Sequence, residues 1–225
     1  IPYYSRAEID FDGVLLGKGY EIAYLRDITD LLDLHTQGSG ILKMREGGYK
    51  RAKFSATNSL KFKGWMTALL EKGYIERTGN VGEDKTFYER AKDFINKNPH
   101  LWREIIGQNK RYVFFSLDDV KSLDEGPIGT YGLNLVAQRS IAIDNSIIPL
   151  GTISFIRLKL PEIDDSLNIK DFKLAERFVF CHDTGGAIKG ARVDYFAGTG
   201  EKAKKFAYSV WGRGNLYLLV LKSDR

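Results

Sequence analysis

The densest signal in the sequence is one stretch in the second half of the chain, Asp183-Thr184-Gly185-Gly186-Ala187-Ile188-Lys189-Gly190-Ala191-Arg192-Val193-Asp194. Its three glycines lie in a short connection between two predicted strands, where the backbone can come close to a ligand or to another segment. An aspartate brackets the stretch at each end, and Lys189 and Arg192 lie between them. These cations can hold a carboxylate ionised or meet an anionic substrate. The same residues also fit a plain barrel turn, in which aspartates cap backbone groups and the cations are solvated.

Two other interpretations of this stretch are weaker. It lacks the spacing of a nucleotide-binding loop, because Lys189 is followed by Gly190 and not by serine or threonine. Asp183-Thr184-Gly185 is the tripeptide of aspartic proteases, but that chemistry needs two such aspartates sharing a proton. The chain holds no second Asp-Thr/Ser-Gly, so only an obligate dimer could supply the pair.

Histidine, cysteine and metal chemistry have little support in the sequence. The motif Gly-x-Ser-x-Gly is absent, and His35 and His182 are predicted to be hydrogen-bonded packing residues. Cys181, the single cysteine, lies in an apolar run and is predicted to be a buried small hydrophobe. With one cysteine and no cluster of ligands, we expect no metal and no other cofactor.

The composition is that of an ordinary soluble globular protein. The 225 residues are 43% hydrophobic and 28% charged, which excludes a disordered, collagen-like or bare coiled-coil chain. No apolar run reaches the ~18–20 residues that a membrane span needs. A net charge of +5 with a pI of about 9.1 suits nucleic acid, an anionic envelope polymer or no special partner.

The pattern along the chain changes near residue 125, at a polar connection over residues 117–131 that is the predicted domain boundary. Before it, the sequence predicts two strands in 8–25, an amphipathic patch over 27–35, a hairpin in 41–54, helices from the polar residues 55–58 to Gly73, over 85–96 and near 100–106, and a strand over 112–116. After it, the sequence predicts strands over 135–143, 152–160, 177–182, 192–196 and 216–221 and a helix over 201–211. Many short strands with glycine turns favour a barrel or a sandwich.

Together these residues resemble the membrane-bound lytic transglycosylase A (MltA) family and its 3D domain. The stretch 183–194 carries the resemblance with the residues that follow it, Tyr195-Phe196-Ala197-Gly198-Thr199-Gly200 and Ala203. Further segments agree in order: Ser5-Arg6-Ala7-Glu8-Ile9, Gln37-Gly38-Ser39-Gly40, Tyr112-Val113-Phe114-Phe115, Arg139-Ser140-Ile141-Ala142 with Asp144, and Ser146-Ile147-Ile148-Pro149. The match covers nearly the whole chain.

The resemblance implies a mainly β fold, a double-psi β-barrel with an inserted smaller β-rich domain that carries a few helices. On that template residues 1–126 are mostly the inserted domain, with a few barrel-edge residues. Residues 127–225 are the C-terminal part of the barrel, the 3D domain. The resemblance also implies a further N-terminal stretch of the same protein, missing from this chain, which contributes to the barrel and to one wall of a groove between the domains.

The implied reaction is cleavage of the β-1,4 bond between N-acetylmuramic acid and N-acetylglucosamine in peptidoglycan, with formation of a 1,6-anhydro product. The resemblance places the acid/base on Asp194, with Asp183 as its positioning or electrostatic partner; spacing alone does not choose between them. A general acid of this kind must hold a proton more firmly than free aspartate does, which partial burial supplies.

The resemblance further implies substrate contacts and a place in the cell. Gln37 and Ser39 are expected to hydrogen-bond sugar groups, and Gly38 and Gly40 to permit close approach. Lys189 and Arg192 are expected to meet carboxylates of the glycan. The expected partners are peptidoglycan glycan strands and cell-wall synthesis proteins, and the expected location is the periplasm, with a lipoprotein anchor in the outer membrane for the full-length form.

Two rival classes stay open on the sequence alone. The first is a non-catalytic cell-wall polysaccharide-binding barrel, which needs aromatic platforms but no partly desolvated Asp194. The second is a basic nucleic-acid-binding barrel, whose affinity should fall steeply with salt. We expect no nucleic acid among the partners.

Overall fold

The first unit, residues 1–120, combines helices with a small sheet, and the second, residues 121–225, is built on a larger sheet. The computed structural model describes residues 3–78, 87–120, 122–123, 125–210 and 212–222. Within these ranges the chain is mainly β with a few helices.

The first unit has five α-helices and a three-stranded antiparallel sheet among its described residues. The helices are α1 (Arg6–Asp10), α2 (Ile28–Gln37), α3 (Trp65–Glu71), α4 (Phe87–Lys97) and α5 (Trp102–Ile106), with a 3₁₀ turn over Pro99–Leu101. The strands, β1 (Ser39–Lys43), β2 (Tyr49–Thr57) and β3 (Val113–Asp119), lie in the order β1-β2-β3. Apolar residues of α2 to α5, such as Leu32, Leu69, Ile95 and Ile105, form the buried core.

Helix α2 and the hairpin that follows it confirm two sequence predictions. Asp27 begins the helix by accepting the backbone N–H of Thr29 at 2.8 Å, and Gly38 ends it with a φ of 77°. β1 and β2 then pair as the predicted hairpin, from Ser39 opposite Lys53 to Lys43 opposite Tyr49. The predicted amphipathic patch is therefore the buried face of α2.

A buried arginine ties the first helix to the sheet. The Arg6 side chain is 0% exposed and forms an ion pair with Asp10 at 3.1 Å. One guanidinium nitrogen, Nη2, contacts His35 Nδ1 at 2.7 Å and donates to the Arg111 carbonyl at 3.2 Å. The guanidinium also lies over the Tyr112 ring. A charge this deep needs all of these partners, since an unpaired buried ion is strongly destabilising.

Two predictions for the first unit are wrong. Residues 8–25 are not two strands; α1 occupies the start of this segment because Ser5 and Glu8 form a capping box, in which each side chain contacts the other's backbone N–H. The polar residues 55–58 do not cap α3 either, because Ser55 to Thr57 belong to β2 and the helix begins after Gly64 without a side-chain cap. The helices predicted over 85–96 and near 100–106 are present as α4 and α5, and Lys85 lies outside the described residues.

The second unit is a five-stranded sheet with one helix in its described part. The strands are β4 (Ser140–Ile143), β5 (Ile153–Ile163), β6 (Ile169–Thr184), β7 (Asp194–Tyr195) and β8 (Asn215–Leu218), in the order β7-β4-β6-β5-β8. β4 pairs with β6 in parallel, and every other pair is antiparallel. The predicted helix is α6 (Glu201–Ser209), and Trp211, the predicted end, lies outside the described residues.

The five predicted strands are present, but their lengths differ from the prediction. β6 begins at Ile169 and not at residue 177, because residues 169–176 pair with the second half of β5, from Arg157 to Ile163. Cross-strand ion pairs accompany this pairing, Arg157 with Glu176 and Lys173 with Glu162. β4 is shorter than predicted, starting at Ser140, and β7 has two residues.

The two faces of this sheet differ in character. Ile141, Ile143, Val179 and Cys181 are 0% exposed and pack together on one face. The opposite face carries Ala142, which is half-buried, and the two aspartates of the glycine-rich stretch. The hydrophobic core therefore supports a polar face from behind.

Candidate functional site

The two aspartates lie in one row across the sheet. Ala142 of β4 pairs with Asp183 of β6 on one side and with Asp194 of β7 on the other. The β4–β6 register shifts at this row, because Ile141 pairs with Cys181 and Ala142 with Asp183, which leaves His182 as an extra residue on β6. Two strand spacings separate the outer members of the row by about 10 Å between Cα atoms. The structure thus brings together the two residues that the sequence singled out.

Asp183 is held by hydrogen bonds at the end of β6. Its Oδ1 accepts the backbone N–H of Thr130 and the Thr130 hydroxyl, both at 2.9 Å. The Thr130 hydroxyl also lies 2.9 Å from that of Thr184. A carboxylate with two donors on one oxygen has a fixed orientation, as a positioning group requires.

Asp194 has a different environment. It is exposed, and no residue in the described part of the chain donates a hydrogen bond to its carboxylate. The partial burial expected for an acid/base is therefore absent in this chain. The physical reason is that β7 is an edge strand of two residues, so its outer side packs against no other described strand.

The glycine-rich loop between the aspartates is anchored at two points. Ile188 is only 3% exposed, and its N–H donates to the Gly185 carbonyl at 3.0 Å in a tight turn. A side chain at Gly185 would collide with Ile188, since a Cβ there would lie 2.8 Å from Ile188 Cγ1. Gly190, with a φ of 64°, donates its N–H to Asp144 Oδ2 at 2.9 Å.

Asp144 follows β4 directly and is 5% exposed. Its Oδ1 accepts the backbone N–H of Ser146 at 3.1 Å and the Ser146 hydroxyl at 2.8 Å. The hydrogen bond from the Gly190 amide, followed by those from Ser146, lowers the pKa of Asp144 to about 2. Asp144 is therefore a fixed anion at neutral pH.

The two predicted cations, Lys189 and Arg192, contact Asp144 and the backbone of the loop. Lys189 Nζ lies 3.8 Å from Asp144 Oδ1, and Arg192 Nη1 donates to the Ala187 carbonyl at 3.5 Å. Both residues are exposed. These contacts are long, so both side chains can leave them to meet an anion.

The segment Gln37-Gly38-Ser39-Gly40 lies in the first unit, and the aspartates lie in the second. Its glycines have structural roles: Gly38 ends α2 in the left-handed conformation, and a Cβ at Gly40 would lie 2.8 Å from Leu34 Cδ1. Gln37 is exposed and Ser39 is half-buried at the start of β1. The two polar side chains are therefore the members of this segment that can contact a ligand.

Sequence reasoning missed the roles of Thr130 and Asp144. Thr130 contacts Asp183 from 53 positions away, and no local pattern announces such a contact. Asp144-Asn145-Ser146 does carry a signal, since an aspartate two residues before a serine is typical of a turn in which the side chain accepts a backbone N–H.

The histidines and the cysteine have the packing roles that were predicted. His182 Nδ1 lies 3.1 Å from the Ser140 hydroxyl, and its ring stacks between Phe180 and Tyr131. Cys181 is 0% exposed, and burial raises the pKa of its thiol. The described ranges contain no group of three or more histidine, cysteine or acidic residues that could hold a metal ion. They also contain no helix with the length and apolar character to cross a membrane.

The two units match two known domains. Residues 1–116 match the MltA specific insert domain, and residues 139–222 match the 3D domain. The chain therefore belongs to the MltA family.

Individual members of the family can be compared directly. The chain is 28% identical over 202 residues to the membrane-bound lytic murein transglycosylase A of Vibrio cholerae serotype O1, covering 88% of this chain and 51% of that protein. The monoclinic crystal structure of MltA from Neisseria gonorrhoeae superposes with a TM-score of 0.81 and 30% identity, over 100% of this chain and 54% of that one. Escherichia coli MltA with bound chitohexaose shares the fold, with a TM-score of 0.77 and 24% identity, over 96% of this chain and 60% of that one. The chain spans about half the length of the curated relatives it matches.

Proposed function

We propose that the protein is a peptidoglycan lytic transglycosylase. It cleaves the β-1,4 bond between N-acetylmuramic acid and N-acetylglucosamine and closes a 1,6-anhydro ring on the muramic acid. The observation that carries the proposal is the row of Asp183, Ala142 and Asp194 in a member of the MltA family. The names of its relatives agree with this reaction.

Asp194 acts as the single acid/base. As a carboxylic acid it protonates the glycosidic oxygen, and the bond to C1 of the muramic acid breaks. The resulting carboxylate then accepts the proton of the C6 hydroxyl, whose oxygen bonds to C1. A glycosidase normally needs two carboxylates, whereas an intramolecular hydroxyl can reach an effective molarity of about 10⁵–10⁸ M, so one suffices.

The hydrogen bonds support this division of roles between the aspartates. Asp183 already accepts two hydrogen bonds on Oδ1, which fix its position. The Asp194 carboxylate accepts none from the described residues, so its oxygens are open to a bound sugar. Because Asp194 is exposed in this chain, the reaction requires that water be excluded from this carboxyl group when the glycan binds.

The substrate is a glycan strand of peptidoglycan. E. coli MltA has been crystallised with chitohexaose, a β-1,4-linked amino-sugar chain, which supports a glycan ligand for this fold. Lys189 and Arg192 meet the lactyl or peptide carboxylates of the strand. Gln37 and Ser39 hydrogen-bond its hydroxyl or N-acetyl groups, and Gly38 and Gly40 keep that segment narrow.

The wider architecture follows the family. The five-stranded sheet forms part of a double-psi β-barrel, with residues 127–225 as its C-terminal part and residues 1–126 as the inserted domain. The protein acts in the periplasm, anchored to the outer membrane as a lipoprotein and in contact with cell-wall synthesis proteins. The description of its relatives as membrane-bound supports a place in the cell envelope.

A second function is favoured by one observation, the exposure of Asp194. A non-catalytic cell-wall polysaccharide-binding barrel needs no desolvated acid. An exposed Asp194 is compatible with this function even if water is never excluded from its carboxyl group. The two functions differ in whether a covalent bond of the glycan is broken.

Mass spectrometry of purified peptidoglycan separates them. The protein is compared with Asp194→Asn and with Asp171→Asn, a control on β6 in which the same isosteric change removes an exposed charge. We expect 1,6-anhydro-muropeptides from the unaltered protein and the control, and none from Asp194→Asn. Reducing-end products that have gained water would refute the anhydro mechanism. Binding to glycan without any product would favour the second function, and activity that survives Asp194→Asn but not Asp183→Asn would reverse the roles.

A further inference from the structure

We propose that Asp144 is the positioning residue of this site, clamping the glycine-rich loop so that Asp194 is held at the correct place on the sheet. The proposal rests on the function proposed above. Asp144 touches neither aspartate of the row, and it acts through the Gly190 amide.

Asp194 needs such support because it stands where the loop joins a strand. On its C-terminal side the chain is well fixed: Phe196 N–H donates to the Ser140 carbonyl at 3.0 Å, and Gln138 N–H donates to the Phe196 carbonyl at 2.7 Å. The Tyr195 hydroxyl donates to the Gln138 carbonyl at 2.7 Å. β7 itself adds only two residues of pairing.

On the N-terminal side the main hydrogen bond from the loop to the rest of the unit is that of Gly190 to Asp144. The other described contacts of residues 189–192 are longer, at 3.4 Å for Arg192 N–H to the Lys189 carbonyl, at 3.5 Å for Arg192 Nη1 to the Ala187 carbonyl and at 3.8 Å for Lys189 Nζ to Asp144 Oδ1. The first two stay within the loop, and the third ends on Asp144 as well. The link from Asp144 is therefore what ties this half of the loop to the sheet.

Asp144 is itself rigid, which a clamp requires. It directly follows β4, the strand that carries Ala142 between the aspartates, and its second oxygen is held by Ser146. Because its carboxylate is buried and stays ionised, the bond from Gly190 is charge-assisted and stronger than an ordinary amide bond. One short segment thus sets both the spacing of the aspartates and the position of the loop between them.

The test is Asp144→Asn, which keeps the size of the side chain but leaves a single acceptor oxygen. Because the amide is uncharged, the bond from Gly190 is weakened or lost whichever way the side chain is oriented. The control is Asp164→Asn: Asp164 Oδ1 also accepts two backbone N–H groups in a turn, at 2.9 Å each, but in the β5–β6 connection. We expect Asp144→Asn to lower kcat for anhydro-product release by about 10–100-fold, with KM within about threefold, because small displacements of a reacting group cost that much. Asp164→Asn should keep the unaltered kcat, and equal kcat values for the two variants would overturn the proposal.

A second readout needs no turnover. In amide NMR spectra, Asp144→Asn should move the Gly190 proton resonance upfield and shift or broaden the amide of Asp194, and Asp164→Asn should do neither. Unchanged Gly190 and Asp194 amides would overturn the proposal even if the proposed function holds. If the unaltered protein cleaves no peptidoglycan, the proposed function fails. The amide shifts then still test whether Asp144 holds the loop in place.

A milder variant covers the case in which Asp144→Asn does not fold. Ser146 is exposed, so Ser146→Ala removes one of the two donors that orient Asp144 with little risk to the fold. The expected result is a fall in kcat of about two- to fivefold with a shift of the Gly190 amide. No change in either quantity would count against the clamp.

Discussion

The buried His35 makes the stability of the first unit depend on pH. Its ring is 8% exposed, and its Nδ1 accepts hydrogen bonds from Arg6 at 2.7 Å and from the Val113 N–H at 3.3 Å. Burial, followed by the charge of Arg6, lowers the pKa of His35 to about 3. Two other titratable residues face this cluster. Asp10 forms its ion pair with Arg6, and Tyr112 contacts the His35 ring edge-on. The folded state therefore holds His35 neutral.

The sign and size of the effect follow from linkage. Below pH 6.5 the unfolded chain protonates His35 and the folded chain does not, so stability is complete above pH 6.5 and is lost as the pH falls toward 3. Each pH unit in that window costs about 1.4 kcal/mol. Between pH 7.5 and 4.5 the loss attributable to His35 is therefore about 3 kcal/mol.

The comparison is with His35→Asn, whose amide oxygen can replace Nδ1 as the acceptor but does not titrate. Urea unfolding followed by the fluorescence of Trp65 and Trp102, both in the first unit, gives the free energy at each pH. The difference between the two proteins should shrink by about 3 kcal/mol from pH 7.5 to 4.5. All other titrating groups cancel in this difference. A difference that stays constant over the range would refute the depressed pKa and the neutral ring.

Two further predictions concern the aspartate row. Thr130→Val removes the hydroxyl that donates to Asp183 and keeps the backbone N–H. We expect a loss of about 0.5–1.5 kcal/mol of stability in urea unfolding and a severalfold drop in turnover in muropeptide analysis. A larger drop in turnover than that of Asp183→Asn would contradict the assigned contact. Gly129→Ala should destabilise the second unit by about 1–3 kcal/mol in the same unfolding assay, because a Cβ there would lie 2.7 Å from the His182 carbonyl. Gly186→Ala, where a Cβ meets no atom within 4 Å, is its control and should change stability by no more than about 0.5 kcal/mol.

Local sequence signals predicted much of the fold. Glycine turns between apolar runs revealed the β1–β2 hairpin and the strands of the second unit, since both signals lie within a few residues of each other. These signals failed where contacts with residues distant in the sequence determine the secondary structure. The first half of β6 mixes charged residues with apolar ones, and it is a strand because β5 pairs with it. In residues 8–25 the apolar pattern resembled strands, but the contact between Ser5 and Glu8 starts a helix.

The candidate site was predicted in part for the same reason. Asp183 and Asp194 stood out because they bracket a local motif. That Ala142 separates them could not be seen, since it depends on a parallel pairing between segments some 40 residues apart. The exposure of Asp194 was also missed, because spacing says nothing about what lies outside an edge strand.

The pairing of Ala142 has a consequence for the order in which the molecule is made. Among the described strands β4 pairs with β6 and β7, both of which follow it in the chain. Domains fold from the N-terminus during synthesis, and pairings between distant segments form slowly. The two carboxyl groups can therefore come together only after residue 195 has been added. A nascent chain that ends before Asp194 carries the first unit but not the second aspartate of the row.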